Sequence, residues 1–572
     1  MSDPVSAADP WVYLDVAVTQ VQTWISRTPR LRLRRGASFL LAQVTAQRAH
    51  TWLPAPWQWN DEAGEISGVI ALKRPAAGEP DLRDSCLAIA TEVVARLAPQ
   101  IPYAAISVDW GIGASYVQAH DDMLQRRSTD RLLEPLPLAD ESIVSRPCGG
   151  CGAHAVVDFF DIRDHRTEVC AECMARHRAA GFMTGQEVDE WPTSMQELYG
   201  NLVAQPSDPI DSNWFPDDFS QLARLWSTNP QTQLATIYAD GNRVGTCLDA
   251  LIDVTVQALP ECDLAEPGAG CPEAAKVAKA DLVNAIDTAT KSALASAVQT
   301  ALPGTPDASG SGLGWRPVIV HVAAGDDMIV SVPAEFAWPF LRSLSDTFTA
   351  LSTAALKSQA VKATADPAHA CLRPFLETTL SLGIGMVFHH LSHPVDDAIT
   401  RADAEMKTAK GQGRGAVPTV SFLDLTADGE RRPTKERVWQ LSTPEPGDTL
   451  PSVSDPATAG TLQAIADIDT AGRQTLLTLV RDALAQQDNE PTPTGEPGSE
   501  MAWQALERRI DAMRRQAIRV IYPARTQPPS SDELHQLRRY LDAARWWHNG
   551  TTPDAQPPDG EPEAGQPSPG GN

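Results

Sequence analysis

The sequence predicts an α+β protein: two ferredoxin-like palm domains, a zinc ribbon between them and a helical domain towards the C-terminus. Three observations predict it. Between residues 231 and 430, β-branched runs and helical spans alternate in the order βαββαβ. Two Cys-x-x-Cys pairs lie between residues 146 and 185. Beyond residue 430 the pattern is helical, up to a Pro-, Gly- and acid-rich end without a basic residue, which is expected to be disordered. The expected boundaries are 1–145 for the first palm, 146–185 for the ribbon and 186–230 for a connector. They continue with 231–430 for the second palm, 431–549 for the helical domain and 550–572 for the tail.

The second palm is organised around a hairpin. Val318 to Ala324 and Met328 to Val332 are β-branched runs that flank Gly325-Asp326-Asp327, a pattern that puts two carboxylates at the tip of a tight turn. Upstream, Leu234 to Ala239 reads as a strand running into Asp240-Gly241-Asn242. A long Ala-rich helical span from Ala274 to Leu302 separates the two. After the hairpin come a helix (335–356), a strand (379–388), a helix (394–410) and a last strand (417–425). In this order the first strand lies beside a hairpin strand, so Asp240 faces Asp326 and Asp327 across the sheet. Like charges brought this close repel, and two Mg²⁺ or Mn²⁺ ions bridging to substrate phosphates make their proximity favourable. That is the arrangement for in-line attack on a nucleotide α-phosphate. Gly and Asp are also favoured in ordinary turns, so Asp240 and the strand order carry this reading rather than the turn alone.

The ribbon rests on Cys148, Cys151, Cys170 and Cys173, two C-x2-C pairs separated by 18 residues. Four thiolates at this spacing suit structural Zn²⁺, and with every position taken by Cys the site is closed and non-catalytic. His154 and His177 are neighbours in sequence and are expected to stay outside the ligand set.

The first palm starts with a strand from Trp11 to Val18 and a helix-rich stretch, Gln20 to Thr45, that contains Arg27, Arg30, Arg32, Arg34 and Arg35. These arginines suit RNA phosphate or a nucleotide, and equally a solvated helical face packed on a partner subunit. Residues 66–72 and 103–109 supply further strands; without a Gly-Asp-Asp turn this unit reads as a platform for the second palm. In the C-terminal domain, helices are expected over 457–486, 500–521 and 531–548, around a linker at 488–499. Arg508, Arg509, Arg514, Arg515, Arg519, Arg538, Arg539 and Arg545, with Trp546 and Trp547, give it local basic character, for RNA or for a partner.

Composition sets bounds. A chain of 572 residues is too long for one core and divides into about three or four domains. No apolar run reaches membrane-spanning length and the N-terminus has no basic-then-apolar leader, so a soluble cytoplasmic protein without a membrane partner is expected. A net charge of −26 excludes a surface coated by nucleic acid but leaves room for local basic faces. Nine cysteines, four of them in paired spacing, fit a reducing compartment and a metal site. Cys86, Cys247 and Cys371 read as buried or incidental thiols, and Cys262 and Cys271 need no function.

Tyr238-Ala239-Asp240-Gly241, Ala324-Gly325-Asp326-Asp327, Ser381-Leu382-Gly383-Ile384 with His389-His390 and Pro394, Ala402-Asp403 and Ala409-Lys410 together resemble the second palm of one family. That family is the large polymerase subunit of type III CRISPR effector complexes (Csm/Cmr type). Arg401 to Arg414 is also similar to the end of the GGDEF diguanylate cyclase domain. The opening, Val18 to Ile25 with Arg27, Arg30 and Gly36 to Leu41, resembles the first palm of the CRISPR family and separates it from the cyclases.

The resemblance implies a nucleotidyltransferase that converts ATP to cyclic oligoadenylate messengers when target RNA binds. Guide RNA would be held mainly by other type III subunits. By the same resemblance, Asp240, Asp326 and Asp327 are catalytic and hold two Mg²⁺ or Mn²⁺ ions, and Gly241, Gly325, Ser381 and Lys410 contact the nucleotide. A lysine at a helix C-terminus is also favoured by the helix dipole. The chain opens directly on the first palm, so the family's HD nuclease domain and DNA cleavage are not expected, and His120-Asp121 reads as incidental. One departure stands out: Ala324 occupies the place of the family's first turn glycine, harmless if it ends a strand and a hindrance if the place needs positive φ. A silent scaffold of the same complex and a freestanding GGDEF-like cyclase are the alternatives.

Overall fold

The computed structural model describes residues 10–64, 67–77, 81–133, 145–162, 165–181, 202, 216, 218–224, 233–247, 272–302, 316–365, 379–413, 415, 417–427, 436–444, 450–489 and 530–547. The 500–521 span with its five arginines, Cys262, Cys271, Cys371, most of the connector and the tail lie outside them. The protein is a mixed α+β structure with sheets of four, six and two strands.

The first unit runs β1 (Trp11–Thr19), α1 (Val21–Ser26), α2 (Leu31–Thr45), β2 (Gln58–Trp59), β3 (Val69–Pro75), α3 (Leu82–Leu97), β4 (Ala105–Gly113) and α4 (Tyr116–Arg126). Its sheet order is β2-β3-β1-β4, with every neighbouring pair antiparallel. Alternation along β1 sends Val12, Leu14, Val16 and Val18 into one core with Leu41, Val44, Ile89 and Val93. Tyr13 on the other face packs with Tyr116, Ala119 and Met123 of α4. Strands β3 and β4 start later than expected. The left-handed residues Gly68 and Tyr103 end the preceding turns and set the register.

The two-stranded ribbon β5 (Asp158–Ile162) and β6 (His165–Val169) leads into α5 (Ala171–Gly181), followed by α6 (Phe219–Arg224). Helix α5 lies close against α2: a methyl group added to Gly36 would sit 2.0 Å from the Arg176 carbonyl oxygen. The arginines of the first helical stretch face this junction, and neither expected role describes them. Arg27 pairs with Glu172 at 2.8 Å, Arg30 donates to the Gly149 carbonyl at 3.0 Å, and Arg35 donates to the Pro216 carbonyl at 3.0 Å. Buried Arg34 donates to the Thr28 and Ser26 carbonyls and pairs with Asp396 of the second unit. They join parts of the chain: Arg27 and Arg30 stand between α1 and α2, and Arg34 and Arg35 are buried on α2 itself.

The second unit comprises β7 (Gln233–Asn242), α7 (Pro272–Ala301), β8 (Ile319–Ala324), β9 (Asp327–Pro333), α8 (Ala337–Ala365), β10 (Ser381–His390), α9 (Val395–Gly413), β11 (Thr419–Asp424) and β12 (Val438–Gln440). The sheet order is β12-β11-β10-β7-β9-β8. The four strands β10-β7-β9-β8 are antiparallel neighbours in βαββαβ connectivity. Strand β11 returns through α9 to lie parallel to β10. Helix α8 continues past the expected end at Leu356, since no Gly or Pro interrupts the chain before Pro367.

Leu382, Ile384, Met386 and Phe388 of β10 face one core with Ile286 and Val298 of α7 and Trp338 and Phe348 of α8. The opposite face, with Tyr238 and Val387, shares a core with Val395, Ile399 and Met406 of α9 and with Val16 and Leu41 of the first unit. The two sheets are therefore joined through a common apolar layer.

The C-terminal region has α10 (Pro456–Ala466), α11 (Thr470–Asn489) and α12 (Ser531–Ala544). The single helix expected over 457–486 is broken at Asp469, whose carboxylate accepts the Gly472 N–H at 2.5 Å. Arg538, Arg539 and Arg545 are turned inward, against the expected basic face. Arg538 pairs with buried Glu436 at 2.6 Å, Arg539 donates to the Val438 carbonyl, and Arg545 pairs with Asp424 at 3.1 Å. Trp546 stacks on Phe388 with ring centroids 5.2 Å apart, and Trp547 is buried against Trp338. No described helix is long and apolar enough to cross a membrane.

Candidate active site

The edge formed by β7, β9, β10 and the end of α9 gathers the residues singled out in the sequence. Strands β7 and β9 pair up to Ala239 opposite Met328, so Asp240 and Asp327 follow at the next step of the ladder. On its other side Asp240 is opposite Gly383 of β10. Lys410, near the end of α9, lies over Gly383, places Nζ 2.5 Å from Asp240 Oδ2 and donates to the Gly241 carbonyl at 2.9 Å. Gly241 leaves room for the turn: a methyl group there would come 2.9 Å from both Cβ and Oδ2 of Asp326.

The hairpin itself is tight. Ala324 pairs with Asp327, leaving Gly325 and Asp326 as a two-residue loop, and Gly325 is left-handed at φ 61°. A loop with glycine first is a hairpin turn that other residues strain. Ala324 stands in the ladder and is not among the residues with positive φ, so its methyl group imposes no backbone strain.

The charges here oppose one another. Burial raises the Asp326 carboxyl to about 6, and the neighbouring Asp240 adds to the rise. Burial raises Asp327 to about 7, with Asp240 and Asp326 next in effect; Lys410 and the Tyr238 hydroxyl, which donates to Asp327, oppose the rise. Burial, with the Asp327 charge next, pushes the Tyr238 hydroxyl up. Hard carboxylate oxygens that hold one another near neutrality fit a divalent cation such as Mg²⁺ or Mn²⁺. Among the described residues, the carboxylates do not form a set with all donor atoms within 4.8 Å; the Cys cluster does.

Ser381 sits two residues before Gly383 but is buried, its hydroxyl accepting from Asn242 Nδ2 at 2.9 Å. His389 belongs to a buried chain that crosses four strands. Its Nδ1 lies 3.0 Å from the His390 carbonyl, so Nε2 accepts from Thr236 at 2.8 Å; Thr236 meets Ser331 at 2.9 Å, and His321 Nε2 donates to Ser331 at 2.9 Å. Burial lowers His389 to about 4, which keeps the ring neutral, as this chain of hydrogen bonds requires.

Three features here escape the sequence pattern. Gly383 and Gly385 share one face of β10, where added methyl groups would meet Lys410 Cγ at 2.4 Å and the Ala402 carbonyl oxygen at 1.8 Å. Two glycines at i and i+2 of a strand are the available signal for such a close approach. Tyr238 beside Asp327 is legible only from the register.

The four-cysteine cluster is compact. All four sulfur atoms lie within 4.8 Å of one another, and Cys151 and Cys170 are 3.8 Å apart. Zn–S bonds of about 2.3 Å in a tetrahedron place sulfurs about 3.8 Å apart, so the set fits zinc. Backbone N–H groups of Gly150 and Cys170 donate to Cys148 Sγ, both at 3.2 Å. Hydrogen bonds from its fellow thiols drive Cys148 down, while bonding to Cys148 pushes Cys170 and Cys173 up. His154 and His177 stand apart, stacked on Tyr103 and Phe160 with centroids 4.0 Å away in each case. Cys86 and Cys247 are buried, and burial pushes Cys86 up to about 12. On α4, His120 edges onto Tyr116 and Asp121 accepts from Gln125 at 2.8 Å.

No protein-family model and no curated protein matches the chain. Among solved structures it is similar to a Csm1-Csm4 cassette in complex with pppApA, at 11% identity and TM-score 0.48, over 94% of this chain and 69% of that one. The cassette with cA3 gives 11% and 0.45, over 94% and 70%. The cassette with cA4 gives 11% and 0.37, over 71% of this chain and 53% of that one, so the chain spans about half its length. A further such structure is described as part of the type III-A CRISPR-Csm interference complex. With every one of these TM-scores below 0.5, the functional reading rests on this chain's own residues.

Proposed function

We infer that the chain is an RNA-activated nucleotidyltransferase subunit of a cytoplasmic type III CRISPR-like effector complex, converting ATP to cyclic oligoadenylates. The observation that carries this is the convergence of Asp240, Asp326, Asp327 and Lys410 at one edge of the sheet, with Gly241 and Gly383 leaving room for it. Of the residues that carry the family resemblance, Asp240, Gly241, Gly325, Asp326, Asp327, Gly383 and Lys410 fall on this edge, which supports ATP as substrate. In this reading the three carboxylates hold two Mg²⁺ or Mn²⁺ ions. When bound, such ions supply charge stabilisation at the attacked α-phosphate and activate the attacking ribose hydroxyl.

The chain's own residues do the rest. The Lys410 ammonium leaves Asp240 for the triphosphate and neutralises charge as pyrophosphate departs. Asp326 and Asp327, which burial and the neighbouring Asp240 hold towards the protonated form, would hold the divalent ions, whose charge would favour the ionised carboxylates. Gly325 keeps the loop narrow, so that both carboxylates stay at the sheet edge. The ribbon is a closed zinc site that fixes α5 on α2. Target RNA acts allosterically, and guide RNA is held mainly by the other subunits of the complex.

The test is nucleotide conversion by the purified complex, with ATP or GTP, with Mg²⁺ or Mn²⁺, and with or without complementary target RNA. RNA-dependent oligoadenylate that vanishes in the Asp326→Ala/Asp327→Ala double variant is expected. An intact, zinc-loaded, RNA-bound complex that makes no product would overturn the reading and leave a scaffold.

A further inference from the structure

Asp287 of α7 lies outside the carboxylate cluster and has no part in the chemistry above. Its Oδ1 accepts the Gly325 backbone N–H at 3.1 Å, and its Oδ2 meets Lys291 Nζ at 2.6 Å, one helical turn further on. Gly325 immediately precedes Asp326 and is the left-handed residue of the loop. A hydrogen bond to an ionised carboxylate is stronger than a neutral one, so this contact fixes the loop rather than decorating it. The base of the tether is fixed as well. One turn earlier on the same face of α7, Val283 abuts the first unit, where a methyl group on Gly64 would come 3.1 Å from Val283 Cγ1. An adjoining face of α7, through Leu282, Ile286 and Ala293, is buried in the core under the second sheet.

We propose that Asp287 is a positioning residue for the Gly325-Asp326-Asp327 turn, with Lys291 holding its carboxylate, so that the first unit under α7 sets where the two turn carboxylates stand. This rests on reading the turn as the metal-binding edge of a nucleotidyltransferase. The other contacts of the tip reach the side chains of Asp326 and Asp327, whereas Asp287 holds the backbone of the loop at Gly325. Asp287 therefore couples the placement of Asp326 and Asp327 to the contact between α7 and Gly64, and shifts of the first unit reach the site through this helix.

The test uses the full chain and its Asp287→Ala, Asp287→Asn and Lys291→Ala variants. Amide hydrogen exchange over residues 323–328 and Mn²⁺ binding followed by electron paramagnetic resonance are measured, with nucleotide conversion in parallel. Asp287→Ala is expected to speed exchange at Gly325 about tenfold and to weaken Mn²⁺ binding about tenfold, with zinc content and helicity unchanged. Asp287→Asn, which retains an acceptor oxygen, is expected to restore most of the protection, and Lys291→Ala to give an intermediate loss. Unchanged exchange and Mn²⁺ affinity in Asp287→Ala would overturn the proposal. A wild type that binds no Mn²⁺ and forms no product, with protection still lost in Asp287→Ala, would overturn the nucleotidyltransferase reading while upholding the tether.

Discussion

Lys410 reaches Asp240 across the bare backbone of Gly383. The ammonium lies 2.5 Å from the carboxylate, and a methyl group on the intervening glycine would stand 2.4 Å from Lys410 Cγ. The stem of the lysine thus lies where any other residue of β10 would put its side chain.

Gly383→Ala is expected to displace Lys410 while leaving the three carboxylates in place. Overpacking here costs about 1–3 kcal/mol of stability. Nucleotide conversion should fall at least about tenfold, close to the level of Lys410→Ala. Full activity in Gly383→Ala beside an inactive Lys410→Ala would show that the lysine takes another path.

The raised carboxyls make the metal-free protein less stable as pH increases. Asp326 and Asp327 ionise at about 6 and about 7 in the folded state, against 3.8 in the unfolded chain. Between about pH 4 and 7 the folded protein therefore holds protons that the unfolded chain has released, and stability falls through that window. Asp326→Asn should raise Tm by about 2–4 °C at pH 8 and leave it nearly unchanged at pH 4.5. Mn²⁺ should stabilise the wild type at pH 8 and not at pH 4.5. Thermal denaturation in metal-free buffer checks both; a Tm that rises with pH would contradict the charge arrangement.

One zinc ion per chain is expected, lost in Cys148→Ser or on chelation. Because α5 packs on α2 at Gly36 and its Arg176 donates to the Trp24 and Ile25 carbonyls, the loss should reach the first unit as well. A destabilisation of about 3–5 kcal/mol is expected, read by elemental analysis and denaturant unfolding. Zinc-free protein of unchanged stability would assign the thiols a different role.

Ala324→Gly, which puts a second glycine before Asp326 and Asp327, should leave nucleotide conversion within about twofold. The residue is a ladder position opposite Asp327, so glycine adds only chain entropy to the unfolded state and costs about 0.5–1 kcal/mol. A large gain in activity would mean that the methyl group obstructs the substrate.

Much of this protein is legible in its sequence because the signals are local. The Gly325-Asp326 loop follows from turn chemistry, the four thiols from their spacing, and the strands and helices of the second unit from hydrophobic period. Each depends on residues a few positions apart. The order of those elements also places Asp240 next to Asp327, since βαββαβ connectivity puts the first strand beside the third.

The tertiary structure alone decided which way the charges face. Arg34 and Arg538 look in sequence like surface cations, yet they end on Asp396 and Glu436, residues more than a hundred positions away or on another unit. Asp287 carries no motif, and it meets the Gly325 amide only because α7 packs under the hairpin. Gly383 reads as a weak strand residue until α9 lays Lys410 over it. The physical reason is common to all of them: a periodic pattern says which residues avoid water, whereas the partner of a polar group is chosen by whichever distant element covers it, because a charge taken out of water must find its counterpart there.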